Sequence, residues 1–291
     1  MKAIYISHLV TDMEMKAVLE EWPGIGIETI EFGVGDNLDA LDRTVKKYRM
    51  RMGGWLTERP FSVHGPFLDL NPGSYDSLIR ETTMVRFLQA YEGAAMMKAD
   101  RILFHTGFVP ETCYETGWPD KAVEFWKRFL DEKGGKIPVH LENVLDLHWE
   151  TAAYILDKVN CPYFTACVDI GHAAAYSEQS PLEWLSGLGS RIGHLHLHDN
   201  DGKEDLHQAL GEGELPIRKV LKMAEACCPE ASVTIENTDI RDIRESLRFL
   251  LPRGRENSAD AFAAAPEAPE NRNGDGPELP PVLNGSLNRV N

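Results

Sequence analysis

Short apolar runs alternate along the chain with longer segments of helical spacing, from the N-terminus to about Pro252. Strands of a parallel sheet are typically apolar throughout, because helices cover both faces of the sheet. The runs that we predict to be strands are KAIYIS, GIETIEF, FSVHG, RILFHTG, IPVHLENV, FTACVDIG, IGHLHLHD and SVTIEN.

Most of these runs are separated by segments whose apolar residues recur at helical spacing. Two clear examples are SLIRETTMVRFLQAYEGAAMMKA and DKAVEFWKRFLDEKGG. The first places Leu78, Val85, Leu88 and Met96 on one face, which indicates a helix with one apolar side.

Eight alternations of strand and helix predict an α/β fold, the (β/α)8 TIM barrel, over residues 1–252. A doubly wound open sheet is the competing architecture, but it usually carries a Gly-rich phosphate loop after its first strand. The nearest candidate here, GIGIETIEFGVG, has scattered glycines and no following helix start. The barrel is therefore the predicted fold.

The C-terminal segment, residues 253–291, has a different composition. Its stretch APEAPENRNGDGPELPPVLNGS is rich in Pro, Gly, Asn and Glu, and Phe262 is its only aromatic residue. Such a segment buries too little apolar surface to offset its ordering entropy. We predict a disordered tail.

The overall composition narrows the functional classes. The 291 residues are 43% hydrophobic and carry a formal net charge of −16, which argues against a broad surface for nucleic acid or an anionic membrane. Five cysteines without a CxxC motif do not suggest a disulfide framework. No stretch reaches the roughly 18 apolar residues of a membrane span. We therefore expect a cytoplasmic enzyme with no membrane partner.

From the third predicted strand onward, every strand ends in a residue type that binds metal ions. These residues are His64, His105, Glu142, Asp169 followed by His172, a histidine of the seventh strand, and Glu236. In a TIM barrel the carboxyl ends of all strands meet on one face, where active sites are built. The loop DLHQALGEGEL adds Asp205 and His207 after the seventh strand. Mixed histidine and carboxylate donors suit zinc, manganese and other divalent ions.

The seventh strand contains three histidines, His194, His196 and His198, at every second position. Alternate residues of a strand share one face and lie about 6.6 Å apart, at about 3.3 Å per residue. No single small ion can therefore bind all three.

Residues 1–250 resemble the xylose isomerase-like barrel superfamily, which includes endonuclease IV and many sugar isomerases and epimerases. The segments that carry the resemblance are HGPFLDLNPGS, HLHD and DLHQALGEG. The resemblance implies a central metal ion with the ligands Glu142, Asp169, His196 and Glu236. It also implies the two further ligand groups of endonuclease IV, which are His64 and His105 beside Glu142, and His172 with Asp205 and His207.

The same resemblance assigns the three histidines of the seventh strand. The family pattern H-x-x-D falls on HLHD, so His196 is the expected ligand. His194 lies deeper and is expected to pack inside the barrel. His198 is expected to contact substrate.

Two enzyme classes follow from the resemblance. The first is a divalent-metal-dependent sugar or sugar-phosphate isomerase or epimerase. There a metal ion polarises the carbonyl of a bound ketose, while Glu142 and Glu236 transfer protons as base and acid. The residues expected to contact this small molecule are His8, Glu31, Phe67, His198, Lys203 and Arg241, the last two through a phosphate.

The second class is an endonuclease IV-like phosphodiesterase with three zinc ions that acts on abasic DNA, two of the ions sharing Glu142. The complete ligand set favours this class. The acidic charge, the scarcity of Lys and Arg in the loops, and Phe67 at a position where the repair enzymes tend to have tyrosine favour the first class. The sequence therefore favours an isomerase or epimerase with one to three zinc or manganese ions, and nucleic acid is a partner only in the alternative.

Overall fold

The structure is a computed structural model that describes residues 3–57, 59–114, 116–133 and 135–251. Its strands are β1 (Ile4–Ser7), β2 (Gly26–Thr29), β3 (Phe61–His64), β4 (Arg101–His105), β5 (Val139–Glu142), β6 (Phe164–Asp169), β7 (Ile192–Leu197) and β8 (Ser232–Ile235). Each strand pairs in parallel with the next, and β1 pairs with β8 to close the barrel. The predicted fold is confirmed, whereas the predicted tail with Phe262 lies outside the described residues.

Helices connect and surround the strands. Their bounds are α1 (Asp12–Glu21), α2 (Gly35–Asp39), α3 (Leu41–Met52), α4 (Ser77–Met97), α5 (Trp118–Lys133), α6 (Trp149–Val159), α7 (Ile170–Tyr176), α8 (Pro181–Leu188), α9 (Ile217–Cys227) and α10 (Ile240–Leu250). Within the described part of the chain, none of these helices is long and apolar enough to cross a membrane.

Helix starts follow local capping chemistry. Thr11 before α1 accepts a hydrogen bond from the backbone N–H of Glu14, whose side chain accepts one in return from the Thr11 N–H. Ser180 and Glu183 form the same reciprocal pair at the start of α8. Each pair satisfies two backbone N–H groups that have no partner inside the helix, so these residues set where the helices begin.

The buried side of α4 differs from the side that its aliphatic residues indicate. Leu78 and Val85 are 75% and 52% exposed, and Leu88 and Met96 are only partly buried. The helix instead packs through the face that contains Phe87, whose ring stacks on that of Phe104 with the ring centroids 4.2 Å apart. The residues buried along α4 are Thr83, Met84, Phe87, Ala90, Tyr91, Gly93, Ala94 and Met97.

An aromatic cluster under this face explains the difference. Phe87 of α4 stacks on Phe104 of β4, and Trp126 and Phe129 of α5 contact both rings. Aromatic side chains bury more apolar area than aliphatic ones and gain further from stacked and edge-to-face contacts. The aromatic face therefore determines how α4 is oriented on the barrel.

Candidate metal centre

Six successive strands bring metal-binding side chains to one face of the barrel. In chain order, these side chains are His64, His105, Glu142, Asp169, His196 and Glu236. The first four are the last residues of β3, β4, β5 and β6, His196 precedes the last residue of β7, and Glu236 directly follows β8. The parallel strands thus place the donors at the carboxyl-terminal mouth of the barrel, as predicted.

The central set of donors consists of Glu142, Asp169, His196 and Glu236, whose ligand atoms lie within 4.8 Å of one another. The Nδ1 atom of His196 is 3.0 Å from Glu142 Oε1, 3.3 Å from Glu236 Oε2 and 3.7 Å from Asp169 Oδ2. All four side chains are buried. One nitrogen and three carboxylates therefore converge on one small volume, which matches the ligand set of a divalent cation.

The first set consists of His64, His105 and Glu142. The Nε2 atoms of His64 and His105 lie 3.3 and 3.8 Å from the same oxygen, Glu142 Oε2. The other oxygen of Glu142 faces His196. Glu142 therefore extends between the first and the central sets, with one oxygen in each.

The third set lies beyond β6 and β7. Asp169 is the N-cap of α7, because its Oδ1 accepts a hydrogen bond of 2.7 Å from the backbone N–H of His172. This cap places His172 beside the loop after β7, where its Nε2 is 3.3 Å from Asp205 Oδ2. The Nε2 atom of His207 is 3.1 Å from the same oxygen. His198 also lies within ligand distance of this set.

Three of these histidines share an orientation that is typical of metal ligands. Each directs Nδ1 toward a backbone carbonyl: His64 toward that of Gly65 at 2.9 Å, His172 toward that of Asn143 at 3.0 Å, and His207 toward that of Glu236. A histidine that donates from Nδ1 presents the lone pair of Nε2 to an ion. The nitrogens that face the carboxylates are therefore the ones available for coordination.

Each set also contains one buried carboxylate oxygen without a hydrogen bond from the described residues. These atoms are Glu142 Oε2, Asp169 Oδ2 and Asp205 Oδ1. A buried anionic oxygen is costly unless a donor or a cation satisfies it. The residues present thus fit three divalent ions, and the mixture of imidazole and carboxylate donors suits zinc or manganese.

The electrostatics of the centre favour added positive charge. Burial alone would raise the pKa of Glu142, but His196 and His105 hold it well below its usual range. Burial likewise opposes protonation of His172, yet the neighbouring Asp169 and Asp205 raise its pKa to about 10. These shifts favour the ionised form of Glu142 and the protonated form of His172, and divalent ions can take over the role of such a cationic partner.

Comparison with known proteins places this geometry in a family. The family model described as xylose isomerase-like TIM barrel matches residues 23–253, a span that contains all three donor sets. The chain belongs to the xylose isomerase-like TIM barrel family. The resemblance seen in the sequence is thereby confirmed.

Relatives of this xylose isomerase-like barrel include both enzyme classes. A D-tagatose 3-epimerase-like protein of known structure superposes with a TM-score of 0.69 at 26% identity, covering 86% of this chain and 96% of the other. A Thermus thermophilus protein from a zinc chloride soak gives a TM-score of 0.66 at 25% identity, over 84% and 95%. The probable endonuclease 4 of Mycobacterium ulcerans is 27% identical over 204 residues, 65% of this chain and 79% of the relative.

The barrel interior contains a carboxylate that the sequence analysis missed. Glu28 of β2 is fully buried, and its Oε1 lies 2.9 Å from the Nε2 of His196, the ring nitrogen that faces away from the central set. Its Oε2 accepts hydrogen bonds from the hydroxyls of Ser62 and Thr234. A carboxylate at this distance from a ring nitrogen favours a proton on that nitrogen through its negative charge.

His194 is buried below the centre of this xylose isomerase-like barrel. Its Nδ1 and Nε2 lie 2.6 and 2.8 Å from the hydroxyls of Ser232 and Thr234, and its ring stacks on His140. Cys167 and His196 lie within ligand distance of it. Because both ring nitrogens already have hydroxyl partners, the expected packing role stays the simplest interpretation of His194.

Of three further predicted substrate contacts, His198 and Phe67 lie beside the donor sets, and His8 is buried against Tyr48. His198 is fully buried, between the central and third sets. Phe67 packs its ring on His64 and His105, with centroids 5.4 and 5.2 Å away. His8 is 8% exposed and its Nδ1 lies 2.9 Å from the Tyr48 hydroxyl. Their contact with substrate stays a prediction.

The charged residues predicted to contact substrate are engaged elsewhere or exposed. Glu31 pairs with Arg51 at 2.9 Å. Arg241 is exposed and pairs with Glu212 and Asp242. Lys203 is exposed in the loop after β7. The structure thus brings the predicted ligands together, whereas these three residues do not join them.

Proposed function

We propose that the protein is a divalent-metal-dependent phosphodiester hydrolase. The observation that carries this proposal is the position of Glu142, whose Oε2 faces His64 and His105 while its Oε1 faces His196. With each of its two oxygens directed into a different donor set, Glu142 would have no free oxygen with which to remove a proton from a sugar carbon. This arrangement favours hydrolysis over the isomerase chemistry that the sequence favoured.

The side chains of the three sets have distinct tasks in this proposal. When bound, divalent ions activate water as a nucleophile and stabilise the charge that develops on phosphate oxygens. Glu142 holds the first and central positions at a fixed separation. Asp169 and Glu236 supply the remaining negative charge of the central set, and Phe67 covers the rings of His64 and His105, which limits their rotation.

The negative charge of the chain limits how many phosphates the proposed substrate can present. Binding of a long duplex requires Lys or Arg side chains that neutralise several phosphates, and the chain has a net charge of −16. Arg51 of α3 and Arg241 of α10 already pair with acidic neighbours. We therefore propose a substrate that presents one phosphodiester to the metal ions and makes few further phosphate contacts.

A sugar epimerase is the second candidate. It is favoured by the pair Glu142 and Glu236, which lie on the central set at 3.0 and 3.3 Å from the same nitrogen of His196. With the first set unused, Glu142 and Glu236 would act as base and acid at a bound ketose. The similarity to a D-tagatose 3-epimerase-like protein agrees with this candidate.

The two candidates differ in their need for the first set, so His64→Gln separates them. We expect zinc- or manganese-loaded protein to cleave bis(p-nitrophenyl) phosphate, and we expect His64→Gln to slow this cleavage about 100-fold or more by weakening one ion position. Release of p-nitrophenol measures the rate. An abasic-site duplex, assayed alongside, shows whether longer nucleic acid is also cleaved.

A different outcome would support the sugar epimerase. Solvent deuterium exchange into a panel of ketoses, retained in His64→Gln and lost in Glu236→Gln, together with no phosphodiester cleavage, would establish the epimerase and overturn the hydrolase.

A further inference from the structure

His198 occupies a fully buried position between the central and third donor sets. Its Nε2 is 3.1 Å from Asp169 Oδ1 and 3.5 Å from Asp205 Oδ1. Its ring stacks on that of His207, with centroids 4.1 Å apart and planes inclined by only 11°. The distances alone would allow His198 to be a further ligand of the third ion.

The parallel rings argue against that role. The lone pair of an imidazole nitrogen lies in the plane of the ring, and zinc binds it at about 2.0–2.1 Å. An ion held by His207 in the plane of its ring would therefore be about one stacking distance from the plane of the His198 ring. With His207 as a ligand, His198 cannot direct a lone pair at the same ion.

We propose that His198 is a positioning residue that holds Asp169 of the central set and His207 of the third set in a fixed relation. This inference rests on the proposed metal centre. Asp169 Oδ1 accepts hydrogen bonds from the His172 N–H at 2.7 Å and from His198 Nε2 at 3.1 Å. With Oδ1 occupied twice, Oδ2 alone is left to face the central ion.

The stacking contact of His198 orients its second partner, His207. His207 directs Nδ1 toward the Glu236 carbonyl, which sets one axis of its ring, and the His198 ring covers one of its faces. Together these contacts keep Nε2 of His207 directed at Asp205. His198 thus couples the orientation of a ligand in one set to that of a ligand in the next.

The backbone leaves space for this ring at one glycine. A Cβ atom added at Gly171 in α7 would overlap the ring of His198. Gly171 has no positive φ, so an alanine there is compatible with the helical backbone and would act through this overlap. The variant Gly171→Ala therefore displaces His198 without changing any donor.

Two substitutions separate the two contacts of His198. His198→Phe keeps an aromatic ring for the stack on His207 and removes the hydrogen bond to Asp169. His198→Gln keeps a donor with similar reach and removes the ring. The measurement is the number of zinc ions that each protein retains as the strength of a competing chelator increases, with Glu236→Gln and Asp205→Asn identifying the central and third ions.

We expect His198→Phe to bind the central ion about 10–100-fold more weakly than the wild type, so that a correspondingly weaker chelator removes it. This is the usual effect of removing a hydrogen bond to a ligand. His198→Gln should retain the central ion and release the third ion earlier, and Gly171→Ala should weaken both. The unfolding midpoint of the zinc-free variants serves as the control for the fold.

Three results would overturn the inference. The first is zinc retention equal to that of the wild type in both His198 variants, and the second is equal loss of all ions together with a lower unfolding midpoint of the zinc-free variants. The third is a wild-type protein that binds no third ion. A wild type that shows the expected zinc retention but cleaves no phosphodiester would refute the proposed hydrolase and leave the role of His198 supported.

Discussion

The side chains of the proposed metal centre are held by buried neighbours outside the donor sets. Glu28 illustrates this, because its carboxylate lies 2.9 Å behind the ring nitrogen of His196 that faces away from the central set. Negative charge at that position favours a proton on Nε2 and leaves the lone pair of Nδ1 for coordination. Ser62 and Thr234 hold the other oxygen of Glu28, so the carboxylate cannot turn away.

We expect Glu28→Gln to weaken binding of the central ion about 10–100-fold, because the amide keeps the shape and removes the charge behind His196. Retention of zinc against a chelator measures this effect. Glu31→Gln is the matched control, since Glu31 is close in sequence but pairs with Arg51 outside the donor sets. Equal zinc retention in the two variants would show that Glu28 has no such role.

The sequence predicts ligands better than it predicts the residues that orient them. His64 and Asp169 could be found because strand ends share one face of a barrel, a rule that depends only on chain order. Glu28 and the proposed positioning role of His198 could not, since they depend on how buried side chains from different strands and loops face one another. In the segment GIETIEF, the strand ends at Thr29. Glu31, which the sequence suggested as a substrate contact, therefore lies beyond the strand, whereas Glu28 lies within it and is buried.

At the scale of elements, chain pattern predicts strands more reliably than the faces of long helices. All eight strands overlap with the predicted runs, because strands covered on both sides are rich in apolar residues even where polar side chains point into the barrel. Helix α4 has 21 residues and apolar side chains around most of its circumference, so periodicity alone selects no single face. Packing against Phe104 and Trp126 decides its orientation.

This orientation predicts very different losses of stability for two substitutions in α4. Phe87→Ala should lower the free energy of unfolding by about 3–5 kcal/mol, because it leaves a cavity inside the aromatic cluster. Leu78→Ala, at a position that is 75% exposed, should change it by no more than about 0.5 kcal/mol. Denaturant titration of both variants measures the difference, and a larger loss for Leu78→Ala would contradict the observed packing.

At the scale of the whole molecule, the chain is acidic, and part of its negative charge is concentrated in the buried carboxylates of the proposed metal centre. The net charge is −16, and Glu142, Asp169 and Glu236 are buried close together. Without ions in the proposed centre, these charges would face neighbouring histidines, among them His172 and His196. In the proposed metal centre, metal binding and folding would be coupled, because the donor sets come together only in the folded barrel.

We accordingly expect a chelator to lower the unfolding temperature of the zinc-loaded protein. A site exposed to free ion at 100 times its dissociation constant gains about 2.7 kcal/mol, and about 2–4 °C per kcal/mol for a domain of this size gives a decrease of roughly 5–10 °C. Thermal unfolding followed by circular dichroism measures the change, and added zinc should reverse it. Sodium chloride is the control, because it screens the acidic surface without binding the donors. Salt screens exposed charges far more than buried carboxylates, so it should restore only a small part of the lost unfolding temperature. Full restoration by salt would assign the effect to general charge repulsion instead of the metal centre.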